Sequence, residues 1–208
     1  DSEWLERPEV ELEKALTGVD GVLVPGGFGS RGVRGKVDVV RWAREHRIPF
    51  FGICLGMQVM VIEYARTVLG LAEANSTEFA PECADPVVSL LEEQIDVKNY
   101  GGTMRLGRSA SRLLPDTHIR AAYGDEVIWE RHRHRYEVSN AYRQRSTIAA
   151  ADHGRHGGLL AGGIARVGRP PMGRWRPVSS RVWVQTDRGA SVVHRFIAAS
   201  RDVRSAGA

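Results

Sequence analysis

Short apolar runs alternate with amphipathic stretches along the first seventy residues. Residues 21–24 and 48–53 are apolar runs that each stop at a glycine-rich sequence, which is typical of buried strands in a parallel sheet. Between them, residues 35–46 repeat apolar positions at helical spacing and predict the crossover helix of a βαβ unit. Residues 57–69 predict a second, strongly apolar helix, which Gly70 is expected to end. The pattern predicts the α/β class, with a central, mostly parallel sheet flanked by helices.

The pattern is weaker beyond residue 70 and changes character near residue 146. The other predicted elements are a short helix over residues 9–16, strands over residues 86–91 and 102–107, and a short helix over residues 125–130. From residue 146 onward Gly, Ala, Arg and Pro replace the periodic pattern. Only residues 182–184 and 192–199 are apolar enough to pack against a core. We therefore expect a core over residues 1–145 and an Arg- and Gly-rich segment over residues 146–208, with a last helix near residues 193–200.

Charge is divided unevenly between these two parts. The 208-residue chain carries a net charge of +4, but residues 1–140 hold 17 Lys and Arg against 22 Asp and Glu. Residues 141–208 hold 12 arginines against three acidic residues. A basic tail suggests a nucleic-acid partner, yet few aromatic residues interleave these arginines, so we expect no nucleic-acid binding.

Cysteine content and hydropathy favour a reducing compartment. Cys54 and Cys83 cannot build a disulfide framework. No apolar run approaches the roughly 18 residues of a membrane span, and no signal peptide is recognised. A cytoplasmic location without a membrane partner is the expectation.

The strongest chemical signal is Cys54, which lies between Gly52 and Gly56 where a predicted strand meets a predicted helix. A nucleophile on such a turn is exposed at the carboxyl edge of the sheet. The helix N-terminus is expected to lower the pKa of the thiol and to offer backbone N–H groups to an oxyanion. The alternative is a small buried hydrophobic residue, as many single cysteines are.

The glycine turn over residues 25–29 ends the preceding strand, so it is expected at the same sheet edge as Cys54. Its backbone amides would complete an oxyanion hole. The turn lacks the Gly-Lys-Ser/Thr of a Walker sequence and the full dinucleotide fingerprint, which makes phosphate binding the weaker interpretation.

Five sequence strings in register carry a family resemblance over about residues 1–145. They are Leu-Val-Pro-Gly-Gly-Phe-Gly at 23–29, Gly-Ile-Cys-Leu-Gly-Met-Gln at 52–58, Ala-Asn-Ser-Thr-Glu-Phe at 74–79, Gly-Gly-Thr-Met-Arg-Leu-Gly at 101–107 and Glu-Arg-His-Arg-His-Arg-Tyr-Glu-Val at 130–138. Together they resemble the class I glutamine amidotransferase domain of the CTP synthase family, which has a flavodoxin-like fold. The resemblance implies a glutaminase that supplies ammonia for the ATP-dependent conversion of UTP to CTP.

The resemblance also implies roles for individual residues. Cys54 would attack the carboxamide of glutamine and form a thioester, and Gly27 would supply a backbone amide to the oxyanion. Glu78 would hold the α-ammonium group of the substrate and Arg135 its α-carboxylate, which suits the bidentate geometry of arginine. The remaining residues implied to line the substrate site are Leu55, Gly56, Met57 and Gln58.

Cofactors and partners follow from the same resemblance. This domain would need no cofactor of its own, while ATP and Mg²⁺ would bind at a synthase domain upstream. That synthase domain and the first strand of the glutaminase domain are expected to be missing from this sequence. L-glutamine, UTP and a GTP effector would be its ligands, and the complete enzyme would be a homotetramer. His132 and His134, two residues apart without further ligands, do not make a metal site.

One family motif is missing. The general base in this family is the His of a late Phe-His-Pro-Glu string, and no His-Pro-Glu occurs in this sequence. The string is expected near residues 177–181, and His194 is not in the right context to replace it. A shifted reading frame between about residues 146 and 193 explains this, as does a genuinely divergent tail. The alternatives for function are a catalytically inactive glutaminase-like fragment and an Arg-rich nucleic-acid-binding tail on a structural domain.

Overall fold

A three-stranded parallel sheet forms the centre of the molecule. The computed structural model describes residues 1–90, 105–112, 118–139, 141–142, 182–184 and 190–206. Strands β1 (Val22–Val24) and β2 (Phe50–Gly52) pair in parallel, and β2 pairs in parallel with β8 (Val182–Val184) on its other side. The predicted α/β class with parallel central strands is confirmed.

Two long helices cover one face of this sheet. Helix α2 (Val33–Glu45) and helix α3 (Leu55–Thr67) pack against each other and against β1 and β2. The face predicted for the first helix is the buried one, since Val37, Val40 and Ala43 are all in the core. These two helices and the two strands confirm the predicted βαβ unit.

The other face of the sheet is covered by two helices from later in the chain. These are α4 (His118–Tyr123) and α5 (Ala190–Ala206), which contact each other. Phe51 of β2 stacks on Phe196 of α5, with ring centroids 5.6 Å apart. The predicted last helix is therefore confirmed, and the structure extends it beyond residues 193–200 in both directions.

Two smaller sheets complete the described fold. β3 (Ala74–Ser76) pairs in parallel with β4 (Asp85–Ser89), which pairs antiparallel with β7 (Glu137–Val138). β5 (Arg105–Arg112) and β6 (Val127–His134) form an antiparallel two-stranded ribbon. The chain thus passes from the ribbon into the second sheet between His134 and Glu137, and this crossover borders the candidate site.

The helix predicted over residues 125–130 is wrong. The structure places Val127–His134 in strand β6, paired with β5 along its whole length. Val127, Ile128 and Trp129 are residue types with a preference for strands, and the antiparallel partner supplies hydrogen bonds that no local pattern reveals. The pattern predicted no element at strand β3, strand β7 or helix α4.

The remaining predicted elements agree in part with the structure. Residues 9–16 contain helix α1, which is only Leu12–Ala15, and a short 3-10 helix precedes it at Trp4–Glu6. Strand 86–91 corresponds to β4, strand 102–107 to the start of β5, and residues 182–184 to β8. Residues 102–104 and most of the Arg- and Gly-rich segment lie outside the described residues, so the boundary at residue 145 stays a prediction. None of the helices in the described part of the chain has the length and hydropathy of a membrane span.

Candidate active site

Cys54 occupies a strained turn between β2 and α3. Its backbone has φ 51° and ψ −103°, a conformation that residues with a side chain rarely adopt. The flanking glycines allow the turn to close. A methyl group on Gly52 would lie 2.7 Å from the backbone of Gly56, and one on Gly56 would overlap the carbonyl oxygen of Val24. The structure therefore has the sharp strand-to-helix turn that the spacing of Gly52, Cys54 and Gly56 predicts.

The glycine turn after β1 lies directly beside this cysteine. A methyl group on Gly26 would come within 3.4 Å of the Cys54 Cβ, and one on Gly27 within 3.1 Å of the Leu55 Cδ2. The two turns share the carboxyl edge of the sheet, because β1 and β2 are parallel neighbours. The predicted proximity of the glycine turn to Cys54 is confirmed.

The environment of the Cys54 sulfur does not lower its pKa as the sequence predicts. Burial raises the pKa of the thiol, and the negative charge of Glu78 raises it further. A hydrogen bond from the backbone N–H of Leu55, in the first turn of α3, acts in the opposite direction and is outweighed. The thiol is thus held protonated near neutral pH, and its use as a nucleophile requires a base.

The two turns open into a cavity of about 210 Å³. Four separate segments of the chain line it: the glycine turn, the start of α3, the loop after β3 and the crossover from β6 to β7. Of the predicted site residues, the structure brings Gly27, Cys54, Gln58, Glu78 and Arg135 to the wall of this cavity.

Three of the predicted substrate-site residues do not line the cavity. Leu55 and Gly56 are buried in the core under the glycine turn, and Met57 is half-buried against the same core. Leu55 faces the site through its backbone N–H rather than through its side chain. Of the four residues that follow Cys54, only Gln58 lines the cavity, and the other three pack behind its wall.

Glu78 ties the loop after β3 to the glycine turn. Its carboxylate Oε1 accepts a hydrogen bond of 2.9 Å from the backbone N–H of Gly29. The loop that carries Glu78 is shaped by buried Ser76, whose hydroxyl accepts a hydrogen bond from the backbone N–H of Glu78. This places a carboxylate near enough to the Cys54 thiol to influence its pKa.

Gln58 holds the crossover that carries Arg135. Its side-chain amide Nε2 donates a hydrogen bond of 3.0 Å to the backbone oxygen of Tyr136, and the Gln58 side chain is itself buried. A guanidinium group and a carboxylate thereby reach one cavity from segments 57 residues apart in the chain. Such a pair matches the two charges of a free amino acid.

Three residues of the cavity wall were not predicted from the sequence. They are Phe28, which is 69% exposed, His134 and Tyr136. Phe28 and Tyr136 each adjoin a predicted site residue, and this adjacency is the signal that could have found them. The sequence pattern suggests His134 only as half of a metal pair with His132. Among the described residues, no group of three or more His, Cys, Asp and Glu side chains could hold a metal ion.

Replacing Glu78 by glutamine is expected to make the Cys54 thiol more reactive. The nearby carboxylate disfavours the thiolate, so removing its charge lowers the pKa of Cys54 and moves the alkylation profile to lower pH. The measurement is the pH dependence of iodoacetamide labelling at each cysteine, read by peptide mass spectrometry. Cys83 is an internal control, since burial and Asp85, not Glu78, raise the pKa of its thiol.

Glu82→Gln is the matched control in the same segment of chain. It removes an equal charge from a position that does not influence the pKa of Cys54. Equal profiles for Cys54 in the Glu78→Gln and Glu82→Gln chains would show that Glu78 makes no contribution to the raised pKa of Cys54.

Comparison with known proteins places this cavity in a family context. The family profile described as glutamine amidotransferase class-I matches residues 2–161. The CTP synthase of Clostridium acetobutylicum is 55% identical over 147 residues, covering 69% of this chain and 28% of the relative. The CTP synthase of Clostridium perfringens strain SM101 is 49% identical over 175 residues, covering 83% of this chain and 30% of the relative. The chain thus spans less than a third of the length of these curated relatives.

A solved structure also matches the fold of this chain. It is the glutaminase domain of Trypanosoma brucei CTPS with bound acivicin, with a TM-score of 0.66 and 44% sequence identity. The match covers 72% of this chain and 57% of that one.

Proposed function

Because this chain belongs to the class-I glutamine amidotransferase family, we propose that it hydrolyses L-glutamine at Cys54 and releases ammonia. The observation that carries this proposal is the cavity that joins Cys54, on its strained turn, to Glu78 and Arg135. A nucleophile, a carboxylate and a guanidinium group around one small cavity suit a zwitterionic substrate with a reactive group at its other end.

The substrate would be oriented by its charged end. Glu78 would receive the α-ammonium group of glutamine and Arg135 its α-carboxylate, so that the side-chain carboxamide reaches Cys54. An ammonium group bound at Glu78 would also offset the negative charge that raises the pKa of the Cys54 thiol. Substrate binding would therefore favour the thiolate at the moment that it is needed.

Two backbone amides would stabilise the oxyanion that forms when the sulfur attacks. The Leu55 N–H lies close enough to the Cys54 thiol to lower its pKa, and Gly27 lies in the adjacent turn on the cavity wall. Donors of this kind act in a site shielded from water, where each contributes about 2.7–4 kcal/mol to the transition state. Collapse of the tetrahedral intermediate would release ammonia and leave the γ-glutamyl thioester, which water then hydrolyses to glutamate.

We place this reaction in a CTP synthase. The relatives that carry this name are more than three times the length of the region they share with this chain, which supports a separate synthase domain. There the ammonia would react with UTP activated by ATP and Mg²⁺, with GTP as effector, in a cytoplasmic homotetramer. The described residues of this chain hold no cluster of ligands for a metal ion, so we derive no step here through Mg²⁺.

The proposal is tested by ammonia and glutamate release from glutamine by the purified chain. Cys54→Ala is expected to abolish both, because it removes the only atom that forms the thioester, while the matched control Cys83→Ala retains them. Acivicin, which is bound in the trypanosomal relative, is expected to protect Cys54 and not Cys83 from iodoacetamide, as read by peptide mass spectrometry. Turnover that survives Cys54→Ala would refute the proposal. Glutamine binding without turnover would identify an inactive glutaminase-like domain instead.

A further inference from the structure

The proposed reaction needs a base that the known family motif does not supply in this chain. Burial and Glu78 raise the pKa of the Cys54 thiol, so the proton must be taken by a neighbouring group during attack. Within the described residues, His134 is the histidine that lines the cavity of Cys54. His46 lies at the end of α2 and His194 is exposed on α5, and neither is part of the cavity wall.

We propose that His134 is the general base and acid of the glutaminase reaction, with Glu137 as the residue that positions it; this rests on the proposed function. The Nδ1 atom of His134 lies 3.7 Å from Oε1 of Glu137, and both side chains are largely buried, with 18% and 10% exposed. Cys54 and His134 line the same cavity, and a nucleophile, a histidine and a carboxylate beside the histidine are the three groups that many cysteine and serine hydrolases use.

The bend between β6 and β7 creates this pair. Alternate residues of a straight strand point to opposite faces, so residues three apart would be separated by the sheet. Here β6 ends at His134 and β7 begins at Glu137, which turns the two side chains toward each other. The hydrogen bond from Gln58 to the Tyr136 carbonyl holds this bend against α3, four residues after Cys54.

The carboxylate determines which ring nitrogen accepts the proton. Glu137 beside Nδ1 favours the tautomer with hydrogen on Nδ1, and in this tautomer Nε2 is the ring atom that would accept the Cys54 proton. A separation of 3.7 Å is an electrostatic contact rather than a hydrogen bond, and contacts of this kind commonly shorten when substrate binds.

The steps balance with water as the only co-reactant. The Cys54 proton passes to Nε2 of His134 as the sulfur bonds to the carboxamide carbon. The imidazolium then returns that proton to the leaving nitrogen, the C–N bond breaks and ammonia departs. His134 next takes a proton from a water molecule as the oxygen of that water attacks the thioester carbon. The C–S bond breaks, and the proton returns to the sulfur with release of glutamate.

His134→Gln tests the assignment, with His194→Gln as the matched control. The first change is expected to lower kcat for ammonia release by about 10²–10⁴-fold, the usual contribution of a general base. The second removes a histidine exposed on α5 and is expected to leave kcat unchanged. Protection of Cys54 from iodoacetamide by glutamine, measured on each chain, shows that the cavity still folds and binds.

Imidazole rescue separates a chemical role from a structural one. In His134→Gly the empty side-chain space is expected to admit free imidazole and to restore turnover in proportion to its concentration. In the wild-type background, Glu137→Gln is expected to lower kcat with little change in KM. When it is added to His134→Gly, it is expected to leave the turnover that imidazole restores unchanged. Free imidazole has no fixed tautomer or orientation for Glu137 to maintain.

The outcomes distinguish this inference from the proposed function. The base assignment alone is overturned if the His134→Gln chain turns over glutamine at the wild-type rate. It is also overturned if glutamine protects Cys54 in the His134→Gly chain but imidazole does not restore turnover. If glutamine protects Cys54 in the wild-type chain but no ammonia is released, the base assignment is also overturned, and the chain is a glutamine-binding domain. A wild-type chain that is neither protected nor active overturns both.

Discussion

Replacing Glu63 by glutamine is expected to lower the free energy of unfolding by about 3 kcal/mol. Glu63 is buried within α3, and its two carboxylate oxygens each accept a hydrogen bond of 3.1 Å from Nε of Arg44. Oε1 accepts another of 2.8 Å from Nη2 of Arg44, and the two side chains are only 1% and 12% exposed. Removing the negative charge leaves a guanidinium group with little access to water at the contact between α2 and α3. Urea unfolding followed by circular dichroism measures the change.

Glu45→Gln is the control for this first prediction. Glu45 contacts the same Arg44 at 3.5 Å, but its side chain is 51% exposed, and exposed ion pairs contribute about 0–1 kcal/mol. The double change Arg44→Met with Glu63→Leu is expected to recover most of the loss, since apolar pairs replace buried ion pairs with little cost. If Glu63→Gln and Glu45→Gln lowered stability equally, the buried pair would not be the source of the effect.

Gly56→Ala is expected to destabilise the chain by about 3 kcal/mol and to abolish glutamine turnover. Helix propensity alone would favour alanine by about 1 kcal/mol. The added methyl group would instead overlap the carbonyl oxygen of Val24, which accepts a hydrogen bond of 2.9 Å from the N–H of Ile53. The overlap displaces this carbonyl, with costs of about 1–3 kcal/mol each for overpacking and for the lost hydrogen bond. Urea unfolding and ammonia release measure the two effects.

Gly26→Ala is the matched control on the same sheet edge. Its methyl group would meet Cys54 Cβ at 3.4 Å and other atoms at longer distance, which are ordinary contacts. We expect a change of less than about 1 kcal/mol in the free energy of unfolding. A loss of stability as large as that of Gly56→Ala would show that close approach to Val24 is not the cause.

The parts of the fold and site that the sequence predicted are local ones. The strands at residues 22–24 and 50–52 and the helices that follow them could be predicted because each carries its own apolar period and its own glycine stop. Cys54 and the glycine turn over residues 25–29 were recognisable for the same reason, since each follows a strand of the parallel pair within a few residues, whereas Gly27 itself was implied by the family resemblance. Residues 125–130 were predicted wrongly because their strand partner, β5, is distant in sequence.

What the sequence determined by itself is the class of fold, the nucleophile turn and the types of charge needed to hold an amino acid. Periodicity and glycine spacing are sufficient for the fold class and the turn, because turns and amphipathic elements follow from interactions among near neighbours. The charges of Glu78 and Arg135 were implied only by the family resemblance. Only the tertiary structure decided that burial and Glu78 raise the pKa of Cys54, and that a bend brings His134 to Glu137 at the same cavity. Burial and charge proximity depend on segments up to 83 residues apart in the chain, and no local pattern encodes the distance between them.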